Sequence, residues 1–372
     1  MSKRNEDKKR SVGKRKSVDR LVFAELILTL LCLALYLTGI EGLQRMKAYD
    51  RVVTFLSESP LTYEGAGQMR KSFQEMEETP VYTLWGNAGR LSLENRELKR
   101  ACSAEVYLME GRSDLVFASD AILDNSMRGF CLMGKDIAEA LFGSEDATGL
   151  DIVMDGQIFT VTGMLKDAKE SVVFLAEDLP DGRLERMNVL LSDFMTVSAL
   201  KQELLLELGF SGSAIDYRFM NAMVGFMAAG LGILMGLYLF RRMKRELSDY
   251  HRQIRGGLTS YEFKYGDHRA YYKGMAVRAA GLILLLVILL SFILKTTNIP
   301  EDMIPTKWSD LDFFKRLYEE KASSFMLFVR AAKYDPDMTY LNGTVSALSS
   351  FTVAYVCYLM KVVIEHFSSI EN

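Results

Sequence analysis

The sequence predicts an integral membrane protein of four transmembrane α-helices, with an α+β extracytoplasmic domain inserted between helices 1 and 2. Three observations carry that reading. Four apolar runs free of proline, Leu21–Ile40, Phe219–Phe240, Met275–Leu294 and Val345–Ile364, are each long enough to cross a hydrocarbon core about 30 Å thick. The gaps between them are unequal, one long polar segment and then two short loops. Charge is also unevenly divided. Residues 1–20 hold nine Lys/Arg against three Asp/Glu, and 241–274 hold nine against four. Residues 298–342 hold six against eight, and 43–217 hold 17 against 29. Basic flanks stay cytoplasmic, so the N-terminus, the 241–274 loop and the C-terminal tail are expected in the cytosol, with the acidic segments outside. The place this implies is the cytoplasmic membrane, with the lipid bilayer as the first partner. The basic N-terminus is explained as an orientation signal lying against anionic lipid, which leaves no call for nucleic acid.

Taken in order, 1–20 is a basic cytosolic start and 21–42 the first helix. A single ionisable group, Glu25, stands in the first apolar run, whereas a core helix of a soluble protein keeps a polar stripe. The run is too long for the apolar part of a signal peptide and no small-residue cleavage site follows, so it reads as a signal anchor. The domain, 43–217, opens with a helical stalk over Leu43–Ser57 that continues the first membrane helix. A helix over Ala66–Glu78 follows, stopped before Pro80. Strands are expected at 81–85 (VYTLW), 104–109 (AEVYLM) and 114–118 (DLVFA). Lys135–Phe142 reads as a helix ended by Gly143. The clearest local signal is Asp155-Gly156 between two β-rich runs, a type I′ hairpin turn in which both central residues need φ > 0. Strands at 171–176 and 188–192 come next. A helix over Thr196–Leu208, capped by Gly209, begins an exit stalk that runs through 217. The second helix spans 218–240, a cytosolic coupling loop 241–274, the third helix 275–297, an outer loop 298–342 and the fourth helix 343–365. Within the outer loop, Leu311–Leu317 reads as a short interfacial helix with Trp308, Phe313 and Phe314 at headgroup level, packed under the domain.

Several stretches are similar to the MacB/FtsX-like ABC transporter permeases. They are Gly129–Gly143 (GFCLMGKDIAEALFG), then Thr148-Gly149, then Asp155–Gly163 (DGQIFTVTG), with Thr83-Leu84-Trp85-Gly86 resembling the family's early strand. The order of one helix, an outer domain and three helices matches as well. The cytosolic segment departs from the pattern: its basic stretch is present as Arg241–Arg245, but Ile254–Thr259 does not match the family's turn. The resemblance implies the membrane subunit of an ABC-type complex. A separate cytosolic ATPase would drive it, in a homodimer or a heterodimer with a related permease, and its motion would reach the outer domain for export or extraction. Regulation of an extracellular cell-wall hydrolase through an outer partner protein is the alternative. A membrane sensor is a third reading, weakened by the lack of a cytosolic output domain.

Catalytic chemistry is not written in the chain. The three histidines, His251, His268 and His366, all fall on the expected cytosolic side, which removes His-based hydrolases and His-ligated zinc from the outer domain. No phosphate-binding loop occurs: Arg255–Ser260 is glycine-rich but lacks the lysine and the spacing. The chain is therefore expected to be no enzyme, to hold no cofactor or metal, and to take its energy from a partner. Leu258, Tyr261 and Phe263 are the candidate ATPase-coupling residues, spaced to present one face of a short helix to a groove. An aromatic belt at the membrane surface is the plainer account of the same stretch. Cys102 and Cys131 face the oxidising side and could pair as a disulfide. Gly232 and Gly236 form a G-x-x-x-G step suited to close helix packing, inside the bundle or at a dimer seam. Glu25 could snorkel, pair with a basic group or relay a proton.

Overall fold

The computed structural model describes residues 2–47, 49–75, 80–191, 196–257, 269–296, 303–305 and 311–371. Along the chain these form α1 (Ser2–Lys47), β1 (Val52–Leu61), α2 (Tyr63–Glu75), β2 (Tyr82–Asn95) and β3 (Arg100–Gly111). There follow β4 (Phe130–Gly134), α3 (Lys135–Phe142), β5 (Asp151–Met154), β6 (Gln157–Leu165), β7 (Ser171–Leu175) and β8 (Leu184–Leu190). Then come α4 (Val197–Leu208), β9 (Gly212–Asp216), α5 (Arg218–Gly257), α6 (Arg269–Thr296), α7 (Leu311–Arg330) and α8 (Asp335–Glu371). They gather into two compact units. One holds Met1–Arg45, Met220–Ile299 and Gly343–Asn372; the other holds Met46–Phe219 and Pro300–Asn342.

The first unit is helical. Among the described residues, four helices are long and apolar enough to cross a membrane, over Phe23–Lys47, Arg218–Arg252, Tyr271–Leu294 and Asp335–Glu365. Small residues let them approach closely. A Cβ on Gly39 of α1 would lie 2.6 Å from the Phe351 ring of α8, and one on Gly42 would lie 2.9 Å from the Gly343 carbonyl. Tyrosine hydroxyls add polar ties between helices: Tyr355 donates to the Met227 carbonyl at 2.9 Å and Tyr358 to that of Leu234 at 3.2 Å. Outward, Val277, Ile283, Leu290 and Leu294 of α6 stay exposed.

The second unit is α+β. Its nine strands run in the order β3-β7-β4-β6-β5-β2-β8-β1-β9, and β2 also pairs with β3. That extra pairing closes β2, β3, β7, β4, β6 and β5 into a ring. The long strand β2 makes it possible: Tyr82–Trp85 pairs with β8, while Glu94, near the other end, pairs with Val153 of β5. Only β3–β7 and β4–β6 are parallel. Leu93, Ala104, Val106, Leu108, Met133 and Phe174 belong to the larger core, together with Phe55 of β1 and residues of α2, α3 and α4. The alternate residues of the same strands, Trp85, Tyr107, Met109, Leu132 and Val173, form a second core capped by Val116, Phe117 and Leu123. This is the period-2 alternation of a sheet buried on both faces.

Local signals held where a single residue type is physically required. Asp155 and Gly156 have φ of 48° and 82°, as the type I′ turn demands. Thr196 caps α4 by accepting from the Ala199 N–H at 3.2 Å, and Gly209 ends it at φ 61°. Gly143 ends α3 at φ 76°.

Four expectations are corrected. The stalk over Leu43–Ser57 does not form: α1 ends at Lys47 and β1 starts at Val52. Val52-Val-Thr-Phe is β-branched and aromatic, and β1 bonds to β8 on one side and β9 on the other. The exit stalk is likewise broken, because β9 intervenes between α4 and α5. The strand expected at 114–118 is a single 3₁₀ turn over Ser113–Leu115, whose following Val116 and Phe117 plug the second core. The helix expected over Leu311–Leu317 runs on to Arg330 as the 20-residue α7, and Trp308 lies outside the described residues.

Candidate functional site

The most concentrated buried charge in the α+β unit lies where the 311–340 segment meets β8 and β9. Arg186 on β8 donates to Asp337 Oδ2 at 2.7 Å and to the Ala332 carbonyl at 2.6 Å. Its guanidinium carbon sits 5.0 Å from the Trp85 ring centre and 4.5 Å from that of Tyr334, so aromatic faces and hydrogen bonds together replace its hydration. Lys321, midway along α7, donates to Asp216 Oδ2 at 2.7 Å, and Arg218 Nε donates to Asp216 Oδ1 at 3.0 Å. The side chains of the Arg186–Asp337 and Lys321–Asp216 pairs are only 2–4 % exposed.

Neighbouring groups extend the network. Tyr334 donates its N–H to Asp337 Oδ2 at 3.0 Å and its hydroxyl to Glu185 Oε2 at 3.0 Å. Asp335 receives a hydrogen bond from the Ser171 hydroxyl, and its N–H donates to the Tyr107 hydroxyl at 3.2 Å. Asn188, beside Arg186, accepts from Trp85 Nε1 at 2.9 Å and from Thr54 Oγ1 at 3.0 Å. A ring cluster of Tyr49, Tyr217, Phe328 and Tyr340 closes the far side. Burial pushes the Asp216 carboxyl up, but the Arg218 hydrogen bond and the Lys321 charge outweigh it and leave it below the usual carboxylate range. Burial raises the Tyr217 phenol.

Chemically this is an interlock rather than a reaction centre: Arg186 pairs with Asp337, and Asp216 takes both Lys321 and Arg218. Truncating one member of such a pair leaves an uncompensated buried charge, typically costing about 3–5 kcal/mol. A cleft of about 260 Å³ opens beside it between α4, β9 and α7, lined by Ser198, Lys201, Ser213, Glu320 and Ser324. A second, of about 370 Å³, lies between β1, α2 and the α4–β9 turn, with Glu58, Gln68 and Ser72 in its wall. Among the described residues no His, Cys, Asp or Glu cluster has the arrangement of a metal site.

The residues singled out from the sequence lie elsewhere. Leu258, Tyr261 and Phe263 fall outside the described residues. Around them, α5 runs on through Arg241–Arg245 to Gly257 and α6 begins at Arg269. The two helices touch there, with His251 Nδ1 2.7 Å from the Tyr271 hydroxyl and the Arg278 guanidinium carbon 4.0 Å from the Tyr250 ring centre. Gly232 and Gly236 stand against α6: a Cβ on Gly232 would strike the Phe292 ring, and one on Gly236 would lie 2.7 Å from Leu289 Cδ1. The Cys102–Cys131 disulfide is absent, and both residues are free thiols. The strand β7 separates β3 from β4, and Cys131 is level, through Phe174, with Leu108 rather than Cys102. Glu25 lies 3.5 Å from the Tyr238 hydroxyl, and the Lys361 ammonium sits 3.6 Å from the Tyr238 ring centre.

Sequence reasoning missed Arg186, Asp216, Lys321 and Asp337. The one available signal was a lysine on the same helical face as Leu317 and Phe328, since a charge inside an apolar arc implies a buried partner.

No protein-family model matches the sequence, and no curated protein matches it. Solved structures resemble part of it. The periplasmic region of MacB from Actinobacillus actinomycetemcomitans is 11% identical over 41% of this chain and 80% of that chain, with a TM-score of 0.33. The extracellular domain of the noncanonic ABC-type transporter YknZ from Gram-positive bacteria is 15% identical over 44% of this chain and 97% of that chain, with a TM-score of 0.32.

Proposed function

We propose that the chain is the membrane subunit of an ABC-type complex of the MacB/FtsX kind. It spans the cytoplasmic membrane four times, with both termini in the cytosol and the α+β unit outside. Motion driven by a separate cytosolic ATPase passes through the helices to that unit and does work there. The observation that carries the reading is the composition of the α+β unit. It is built from the segment between the first two membrane-length helices plus the segment between the last two, Met46–Phe219 and Pro300–Asn342. Both acidic segments thus belong to one body, which fits the charge-based expectation that they share a side of the membrane. The exposed apolar surface of α6 favours lipid, because leaving it in water costs about 25 cal/mol per Å². A unit braced by buried ion pairs suits a part that moves as a whole. The subunit acts as one of a pair, a homodimer or a heterodimer with a related permease, and neither binds nor hydrolyses nucleotide itself.

Reporter fusions test the topology. Those after residue 15, near 250 and at the C-terminus are expected to report cytosol, and those near 120 and 320 the outside; a cytosolic report from 120 would overturn the reading. Coupling is tested by co-purifying the chain with its ATPase. Leu258→Asp with Tyr261→Asp should leave membrane insertion intact and abolish stimulation of ATP turnover, because a carboxylate buried in an apolar groove goes unpaired. Unchanged binding and stimulation would place the coupling element elsewhere.

A further inference from the structure

The helix α7 has three faces. One, with Leu317, Lys321, Ser324 and Phe328, is buried or half-buried and packs toward β9, where Ser324 Oγ accepts from the Asp216 N–H at 2.9 Å. The second carries Asp312, Lys315, Arg316, Glu319, Glu320 and Arg330, all exposed and balanced in charge. The third consists of Phe314, Tyr318, Phe325, Met326 and Val329, from 44 % exposed at Phe314 to 73 % at Tyr318. Steps of four, seven, one and three residues bring those five onto one side of a helix. The five bear no ionisable group other than the tyrosine hydroxyl, and the exposed Lys315 projects at the edge of the stripe beside Met326.

We propose that this stripe lies on the outer surface of the lipid bilayer, with its side chains at the boundary between headgroups and acyl chains. The proposal rests on the membrane reading above and adds a contact that reading does not require. Chain length argues for lipid as the occupant. Only residues 331–334 separate Arg330 from α8, whose apolar run begins at Val345. The contour from Arg330 to that run is at most about 30 Å, counting an extended link and a helical rise. The other end is tied to α6 through 297–310. Such a helix, tethered at its C-terminal end within about 30 Å of the apolar run of α8, meets the lipid surface before any diffusing partner. Its make-up also suits an interface, with aromatics, Met and Val on one side and charges on the other. The balanced charge arc points to insertion of apolar side chains rather than attraction to anionic headgroups.

The test uses the full-length chain, one copy per nanodisc, in phosphatidylcholine brominated at the middle of its acyl chains. Tryptophan is placed singly at Tyr318 or Phe325 in the stripe, at Glu319 in the charged arc, and at Leu286 in α6 as a reference. Quenching is measured against the parent, which contributes Trp85 and Trp308. Y318W and F325W are expected to be quenched several-fold more than E319W and to emit at shorter wavelength. Red-shifted, unquenched emission at 318 and 325 would overturn the proposal in favour of water. Blue-shifted but unquenched emission would overturn it in favour of a protein cover, such as a second copy. If L286W is itself unquenched, the membrane reading fails and this inference with it. Quenching at 286 but not at 318 would sink the inference alone.

Discussion

At the scale of single residues, the contrast is between turns and buried charges. Asp155-Gly156, Gly143 and Gly209 were legible because each position admits few residue types for steric reasons. Arg186 and Lys321 were not, because a charged residue in a polar stretch reads as solvated until its partner is known, and those partners lie 151 and 105 residues away. Two predictions follow from the interlock. Asp337→Leu or Arg186→Met alone should lower unfolding stability of the α+β unit by about 3–5 kcal/mol, while the two substitutions together should recover much of it. Thermal or denaturant unfolding of the four proteins, read as a double-mutant cycle, checks this; additive losses would mean that the pair does not act as one. The second concerns pH. Because the Asp216 carboxyl is held below the usual carboxylate range when folded, it contributes stability that is present above its unfolded value, about 3.9. That contribution fades as pH falls through this value toward the folded one. Stability of the parent should therefore drop more steeply on acidification than that of Asp216→Asn, which starts lower and lacks this titration.

At the scale of elements, hydrophobic pattern identified the apolar helices and most strands, but it erred at both joints between helix and domain. The pattern MKAYDRVVTF accommodates a helix by apolar content and a strand by side-chain shape, and pairing with β8 and β9 decided for the strand. Hydrogen exchange on the full chain should therefore show Val53–Leu56 among the slowest-exchanging amides, being bonded on both sides. A frayed helical stalk would exchange within the fast phase. The opposite error, at 114–118, came from reading a buried apolar plug as a strand, since burial alone does not specify backbone pairing. In the helical unit, Gly42→Leu should weaken packing of α1 on α8, since even a Cβ there meets the Gly343 carbonyl at 2.9 Å and the Ala347 amide nitrogen at 3.0 Å. Unfolding in mild detergent would report the loss, and Gly67→Leu, which meets nothing within 4 Å, serves as the control.

At the scale of the molecule, the one-plus-three arrangement was readable from hydropathy alone, whereas recruitment of 300–342 into the α+β unit was not, because its apolar residues are split between a buried and an exposed face. Residues 46–219 expressed without 300–342 would leave Arg186 without Asp337, and Asp216 with Arg218 but without Lys321. That fragment should unfold at lower temperature than one in which 311–342 is joined back through a flexible linker; equal midpoints would show that the segment contributes little. The same discontinuity imposes an order on biogenesis. Ribosomes add about 5–20 residues per second, so Arg186 and Asp216 emerge roughly 5–30 seconds ahead of Asp337 and Lys321. On the proposed topology, two further helices are inserted during that interval while an incomplete domain waits outside with those ions still hydrated. Maturation is therefore a late event, and a mutation that delays insertion of α6 would surface as proteolysis of a domain in which no residue had changed.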